Sequence, residues 1–318
     1  MKRLLVSRRL PESVQDALAA RFDVTTRETT QPMDRAEAEA ALRDYDAILP
    51  TLGDAFGAET FQAVPAPRAT VLANFGVGYN HIDAEAARAA GVDVSNTPGA
   101  VTDATADTAM TLILMTCRRA GEGERMVRAG AWDGWHPTQL LGFHITGKTV
   151  GIVGMGRIGK AIAHRCHYGF GMEVVFYNRS PVAEPGMPAR QLGTLAEVMA
   201  AADIVVLAVP ATPATHHLID GAALAAMKPT GYLVNIARGD VMDEAALIAA
   251  LEAGAIAGAG LDVYEFEPAV PEALKAMENV TLLPHLGTAA LEVREAMGKM
   301  AVENLIAWDE GRALPNAV

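Results

Sequence analysis

Cysteine is scarce: Cys117 and Cys166 are the only two in 318 residues. They are too few for a disulfide framework and are not spaced as a metal knuckle, so a reducing compartment, a cytoplasmic location and no metal site are expected. Aromatic residues make up 5% of the chain. No apolar run approaches the roughly 18 residues of a membrane span. The apolar stretch near the start, Leu4-Leu5-Val6, is shorter than the core of a signal peptide. Basic residues are also in deficit, with 26 Lys and Arg against 38 Asp and Glu, a net charge of -12. That balance argues against a broad nucleic-acid footprint or a polybasic membrane patch, so any anion must be bound locally.

Apolar residues are abundant, at 51% against 20% charged, the balance of a globular protein. At roughly 150 residues per domain, the length suggests two domains. Short apolar runs alternate with Ala-rich amphipathic stretches throughout, the rhythm of parallel sheets wrapped by crossover helices in a doubly wound α/β architecture. In the first hundred residues the pattern predicts strands at Lys2 to Val6, Phe22 to Thr25, Ala47 to Leu49, Thr70 to Ala73 and Val92 to Val94. Helices fall between them, including Pro11 to Ala20 and Asp34 to Arg43, the latter with Asp34 as a cap. Asn96-Thr97-Pro98-Gly99 interrupts the pattern, and a strongly apolar helix, Val101 to Arg119, follows. Six more strands are predicted, at Thr149 to Val153, Glu173 to Tyr177, Ile204 to Val209, Tyr232 to Ile236, Ala257 to Leu261 and Val280 to Leu283, a number that suits a dinucleotide fold. A last helix, Ala289 to Trp308, is expected to return to the first unit. The expected domains are therefore 1–97 with 289–318, and 98–288.

The strand ending at Val153 runs into Gly154-Met155-Gly156-Arg157-Ile158-Gly159 and then a helix, the context that gives this glycine pattern its meaning. Gly154 permits a tight turn, Gly156 a close backbone approach to a pyrophosphate, and Gly159 close helix packing, with the helix N-terminus facing the anion. The second strand ends in Tyr177-Asn178-Arg179-Ser180, without the carboxylate that usually binds the adenosine ribose. A guanidinium there pairs with a 2'-phosphate, and Asn178 and Ser180 can add hydrogen bonds, which favours NADP(H) while leaving NAD(H) possible. Stacking of Arg179 on the adenine is the alternative.

Asn74-Phe75-Gly76-Val77-Gly78 forms a second strand-to-helix turn, whose backbone N–H groups either hold a small carboxylate or merely make a tight connection. Reducing a keto group requires a hydride donor, a proton donor and a cation that fixes the substrate. Arg238, Glu267 and His285 each follow a predicted strand, where open α/β sheets place their ligands. A glutamate hydrogen-bonded to a histidine stabilises the imidazolium, which suits that histidine to act as an acid. Taken singly, each of the three has a structural explanation as a cap contact, a solvated acid or a satisfied histidine. His164, His167, His216 and His217 are assigned no chemistry.

Together these residues resemble the D-isomer-specific 2-hydroxyacid dehydrogenase family over nearly the whole chain. The matching segments are Asn74 to Asp83, Gly91 to Asp107, the loop at Gly154, Pro210 to Ile219, Leu233 to Leu247, Gly258 to Pro268 and Pro284 to Gly287. The resemblance implies a flavodoxin-like substrate domain and a Rossmann cofactor domain with the substrate in a cleft between them, and a homodimer built around the cofactor domain. It implies catalysis by Arg238, Glu267 and His285, and a substrate carboxylate on Val77, Gly78 and Arg238. It also implies a cofactor held by Gly154, Met155, Gly156, Arg157, Ile158, Asn178, Arg179, Ser180, Val209, Pro210, Ala237, Asp262, His285 and Gly287. Asp262 either orients the nicotinamide or caps its strand. Thr116 to Arg119, Trp132 to Trp135 and Asn178 to Ser180 look most like NADPH-dependent glyoxylate/hydroxypyruvate reductases, which implies reduction of a short 2-keto acid to glycolate or D-glycerate. A D-3-phosphoglycerate or larger D-2-hydroxyacid dehydrogenase is the enzyme alternative, and a dinucleotide-sensing, corepressor-like interaction protein the alternative of another class.

Overall fold

The computed structural model describes Met1–Val318, which divides into two compact units, Met1–Val101 with Ala289–Val318, and Thr102–Thr288. In the first unit, β1 (Arg3–Val6), β2 (Asp23–Thr26), β3 (Ala47–Leu49), β4 (Val71–Ala73) and β5 (Asp93–Ser95) form a parallel sheet in the order β2-β1-β3-β4-β5. This is the flavodoxin-like order. Leu4, Val6, Ile48 and Leu72 are fully buried, as expected where helices cover both faces of a parallel sheet. The helix Arg35–Asp44 begins in a reciprocal capping box: Asp34 accepts from the N–H of Glu37, and the Glu37 carboxylate accepts from the N–H of Asp34. The last helix, Leu291–Asp309, packs against the helix Glu12–Ala19 and β4, so it belongs to this unit. Its Gly298 meets Val14, where a Cβ would lie 2.3 Å from Cγ2.

The second unit has seven parallel strands, one more than the sequence pattern predicts. They are β6 (Thr149–Val153), β7 (Glu173–Tyr177), β8 (Arg190–Gln191), β9 (Ile204–Leu207), β10 (Tyr232–Asn235), β11 (Gly258–Leu261) and β12 (Val280–Leu282), in the order β12-β11-β10-β9-β6-β7-β8. The order reverses between β6 and β9, which places the topological switch point beyond their carboxyl ends. One face carries a core with Val205, Leu207, Leu233 and Leu261, and the other a core with Val150, Ile152, Val206 and Val234. The helix Thr102–Cys117 contributes Leu112 and Ile113 to the latter. Gly260 of β11 lets this helix approach closely, since a Cβ there would lie 2.8 Å from Oγ1 of Thr116. No helix is long and apolar enough to cross a membrane.

Candidate active site

Because every strand of the second sheet is parallel, the segments after β6, β7, β9, β10, β11 and β12 gather along one edge. The loop after β6 shows a separate requirement at each glycine. Gly154 has φ 98°, and a Cβ on it would lie 2.7 Å from the carbonyl oxygen of Ala208; a Cβ on Gly159 would lie 2.1 Å from the carbonyl oxygen of Gly154. At Gly156 a Cβ would meet nothing within 4 Å, so that face of the loop is open. The N–H groups of Gly156, Arg157 and Ile158, at the start of the helix Arg157–His164, make no hydrogen bond within the protein. Free donors at a helix N-terminus, beside a backbone with room for close approach, fit the pyrophosphate of a dinucleotide.

Beyond β7, the Oδ1 of Asn178 accepts from the N–H of Met155 at 3.2 Å, and its Nδ2 donates to the carbonyl of Ser180 at 2.9 Å. Asn178 therefore braces the turn against the glycine loop. Arg179 and Ser180 are exposed, and the guanidinium of Arg179 makes no hydrogen bond or ion pair with the protein. Val209 and Pro210 follow β9, and Ala237 follows β10 with its N–H on Oδ1 of Asn235 at 3.0 Å.

Three side chains at this edge form a connected charge system. Nδ1 of His285 lies 2.9 Å from Oε2 of Glu267. Oε1 of the same carboxylate accepts from the N–H of Tyr264 at 3.0 Å. Burial pushes the Glu267 carboxyl up. The hydrogen bond and charge of His285, the N–H of Tyr264 and the charge of Arg238 outweigh burial and hold it below the usual carboxylate range. An ionised carboxylate only accepts, so Nδ1 of His285 carries the proton of this bond and Nε2 is left for other work. Burial also lowers the Arg238 guanidinium, opposed by the charges of Glu267 and Asp240, yet an arginine stays cationic at any physiological pH. Arg238 is therefore a permanent positive charge within electrostatic reach of Glu267.

Asp262 is buried and acts on the backbone of the histidine loop. Its Oδ1 accepts from the N–H of Leu286 at 2.6 Å and its Oδ2 from the N–H of Gly287 at 2.8 Å, while its carbonyl accepts from the N–H of His285 at 2.9 Å. Burial raises its carboxyl above the ordinary range against the pull of these N–H groups and of His285. A second pair is not expected from the sequence: Nε2 of His217 lies 2.8 Å from Oε1 of Glu265. Tyr264-Glu265-Phe266-Glu267 thus sends its two glutamates to different histidines. The only available signal was that alternation, which does not say which glutamate meets which histidine. Gly239, next to Arg238, abuts the same segment so tightly that a Cβ would lie 1.9 Å from the carbonyl carbon of Tyr264.

In the first unit, the loop after β4 has its carbonyls tied inward. Nδ2 of Asn74 donates to the carbonyls of Gly76 and Gly78 at 3.0 and 3.1 Å, and Nδ2 of Asn96 to that of Val77 at 2.9 Å. The N–H groups of Val77 and Gly78 make no hydrogen bond within the protein. Consecutive free N–H groups of this kind form an anion-binding concavity.

A parallel sheet with a 3-2-1-4-5-6 core order, a glycine loop at its switch point and an Arg/Glu/His system on the same edge defines a dinucleotide-dependent oxidoreductase. The family model of the D-isomer specific 2-hydroxyacid dehydrogenase NAD-binding domain matches residues 110–287. The chain is 43% identical to a glyoxylate reductase of Thermococcus onnurineus over 322 residues, covering 99% of this chain and 95% of that protein. It is 42% identical to a glyoxylate reductase of Pyrococcus furiosus over 324 residues, covering 99% and 95%. Among solved structures, the NADPH-dependent glyoxylate/hydroxypyruvate reductase of Sinorhizobium meliloti in complex with NADP and malonate superposes with a TM-score of 0.88 at 38% identity, covering 100% of this chain and 96% of that one. The chain belongs to the D-isomer specific 2-hydroxyacid dehydrogenase family and is an oxidoreductase with an NAD(P)-binding domain.

Proposed function

We propose that this enzyme reduces a short 2-keto acid, glyoxylate or hydroxypyruvate, with NADPH, giving glycolate or D-glycerate. The hydrogen bond between His285 and Glu267 at the carboxyl edge of the Rossmann sheet carries this reading, supported by the full-length likeness to glyoxylate reductases. The reduced nicotinamide, when bound, supplies the hydride. The glycine loop with Met155, Arg157 and Ile158 would hold the pyrophosphate, and Val209, Pro210, Ala237, Asp262 and Gly287 would line the rest of the cofactor's path. Nε2 of the His285 imidazolium gives its proton to the carbonyl oxygen as the keto carbon gains the hydride, and Glu267 stabilises the charge on the ring beforehand. Arg238 polarises that carbonyl and pairs with the substrate carboxylate, and the N–H groups of Val77 and Gly78 are the first unit's candidates for binding a carboxylate.

Arg179 and Ser180 would receive a 2'-phosphate, which makes NADP(H) the preferred cofactor over NAD(H). A homodimer is part of the same proposal. The helix Ala120–Arg128 buries none of its residues, and Val127 on it and Trp132, Trp135 and Leu141 in the stretch that follows are 52–80% exposed, large apolar side chains that an interface would cover. The deciding experiment assays the purified protein with a panel of 2-keto acids and both cofactors, following absorbance of the reduced nicotinamide. Fastest turnover of glyoxylate or hydroxypyruvate with NADPH is expected; turnover of neither overturns the substrate assignment.

A further inference from the structure

Gln191 lies on β8, the strand absent from the sequence pattern, and its amide is engaged entirely with one turn. Oε1 accepts from the N–H of Val182 at 3.0 Å, and Nε2 donates to the carbonyls of Asn178 and Ser180 at 3.1 and 3.2 Å. Asn178 adds its own bonds to Ser180 and to Met155 of the glycine loop. The turn from Asn178 to Val182 is thereby fastened on one side to β8 and on the other to the phosphate loop. Its inward carbonyls are held, while Arg179 and Ser180 stay exposed, with the guanidinium of Arg179 uncommitted to any protein group.

We infer that Gln191 is a specificity-determining positioning residue for the cofactor's 2'-phosphate. By fixing the backbone of the turn, it presents the Arg179 guanidinium and the Ser180 hydroxyl to a phosphate monoester on the adenosine ribose. Gln191 itself need not touch the cofactor. The physical basis is preorganisation: a long arginine on a loose turn loses more freedom on pairing with phosphate than one on a turn already held. Because NAD(H) lacks the 2'-phosphate, loosening the turn weakens NADP(H) selectively. This inference rests on the NADPH reading above.

The test is calorimetric binding of NADP⁺, NAD⁺ and the fragment 2',5'-ADP to the full chain, as wild type, Gln191→Leu, Gln191→Glu and Arg179→Ala, each checked by thermal melting. Gln191→Leu is isosteric and removes all three bonds. It is expected to raise the Kd for NADP⁺ and 2',5'-ADP by about 5- to 20-fold, the range for losing one or two net hydrogen bonds, with the Kd for NAD⁺ within about twofold. If Gln191→Leu does not fold, Gln191→Glu decides: it keeps the acceptor for Val182 but sets a carboxylate against two carbonyls, and it should lose selectivity at least as far. Equal wild-type affinity for NADP⁺ and NAD⁺ overturns the cofactor reading itself, and the inference with it. A selective wild type whose preference is lost in Arg179→Ala but kept in the folded Gln191 variants overturns the role of Gln191 alone.

Discussion

The backbone N–H of His285 donates to the carbonyl of Asp262 at 2.9 Å, with His285 in the left-handed region at φ 55°. A non-glycine residue held there costs on the order of 1 kcal/mol or more and persists only where its surroundings enforce it. The Asp262 carboxylate does so by taking the next two N–H groups, of Leu286 and Gly287. Asp262→Asn puts an amide donor against one of those N–H groups. Loss of a hydrogen bond to a charged acceptor is worth about 1.5–3 kcal/mol. Turnover should fall by roughly 10- to 100-fold, as measured by steady-state kinetics at saturating cofactor. Unaltered turnover would show that the clamp does not set the histidine.

His285→Ala removes the proposed proton donor while leaving the glycine loop and its free N–H groups in place. Turnover should fall by roughly two to four orders of magnitude, the usual contribution of a general acid. Wild-type turnover in this variant would dismiss the acid role.

The Glu267 carboxyl lies below the ordinary carboxylate range in the folded chain, which fixes the sign of its contribution to stability. A carboxylate whose native pKa is depressed stabilises the fold fully above its unfolded pKa of about 4.3 and loses that contribution as pH falls through the native value. Glu267→Gln lacks the contribution at every pH. Urea midpoints of wild type and variant should differ most near neutrality and converge as the pH drops below about 4. A gap that stays constant or widens on acidification would contradict the assignment.

Much of the scaffold was legible because burial in parallel sheets writes itself as apolar runs: β1, β3, β6, β7 and β9 coincide with such runs to within two residues. The cap at Asp34 was legible because a cap is local chemistry, a short acid before a helix with Glu37 three residues on. β8 was not, since it has two residues in a stretch broken by Pro181, Pro185 and Pro188 and pairs with β7 on one side only. The helix Ala120–Arg128 was hidden for a related reason: it buries nothing, so no core-facing apolar periodicity marks it. At the site, residue types and strand ends pointed to Arg238, Glu267 and His285. The clamp by Asp262 and the partnership of Glu265 with His217 depend on which way backbone and side chains turn after each strand, which residue order does not encode.

Gly239 separates Arg238 from the segment that carries Glu267. A Cβ there would lie within 1.9–2.2 Å of the Tyr264 carbonyl and the Glu265 nitrogen, backbone atoms that cannot rotate away. Gly239→Ala should therefore cost at least the roughly 1–3 kcal/mol of ordinary overpacking and displace both charged groups together. The expected signature is a lower unfolding temperature accompanied by a fall in turnover at saturating substrate. An alanine variant with native stability and activity would mean that the two segments are not in register with each other.

Asn74 provides a test of the first unit that leaves the chemistry untouched. Its amide holds the carbonyls of Gly76 and Gly78, and with Asn96 on Val77 it keeps three successive carbonyls turned away from the N–H groups proposed to bind the substrate carboxylate. Asn74→Ala frees two of the three. At about 1 kcal/mol for each neutral hydrogen bond, only part of which reaches the ligand, the KM for the 2-keto acid should rise by about 5- to 20-fold while kcat changes by less than about threefold. Asn74→Asp replaces the donors with a charged acceptor facing those carbonyls, so its KM should rise further. A KM unchanged in both variants, with only the melting temperature lowered, would reduce Asn74 to a brace of the fold and remove the Val77–Gly78 loop from the substrate site.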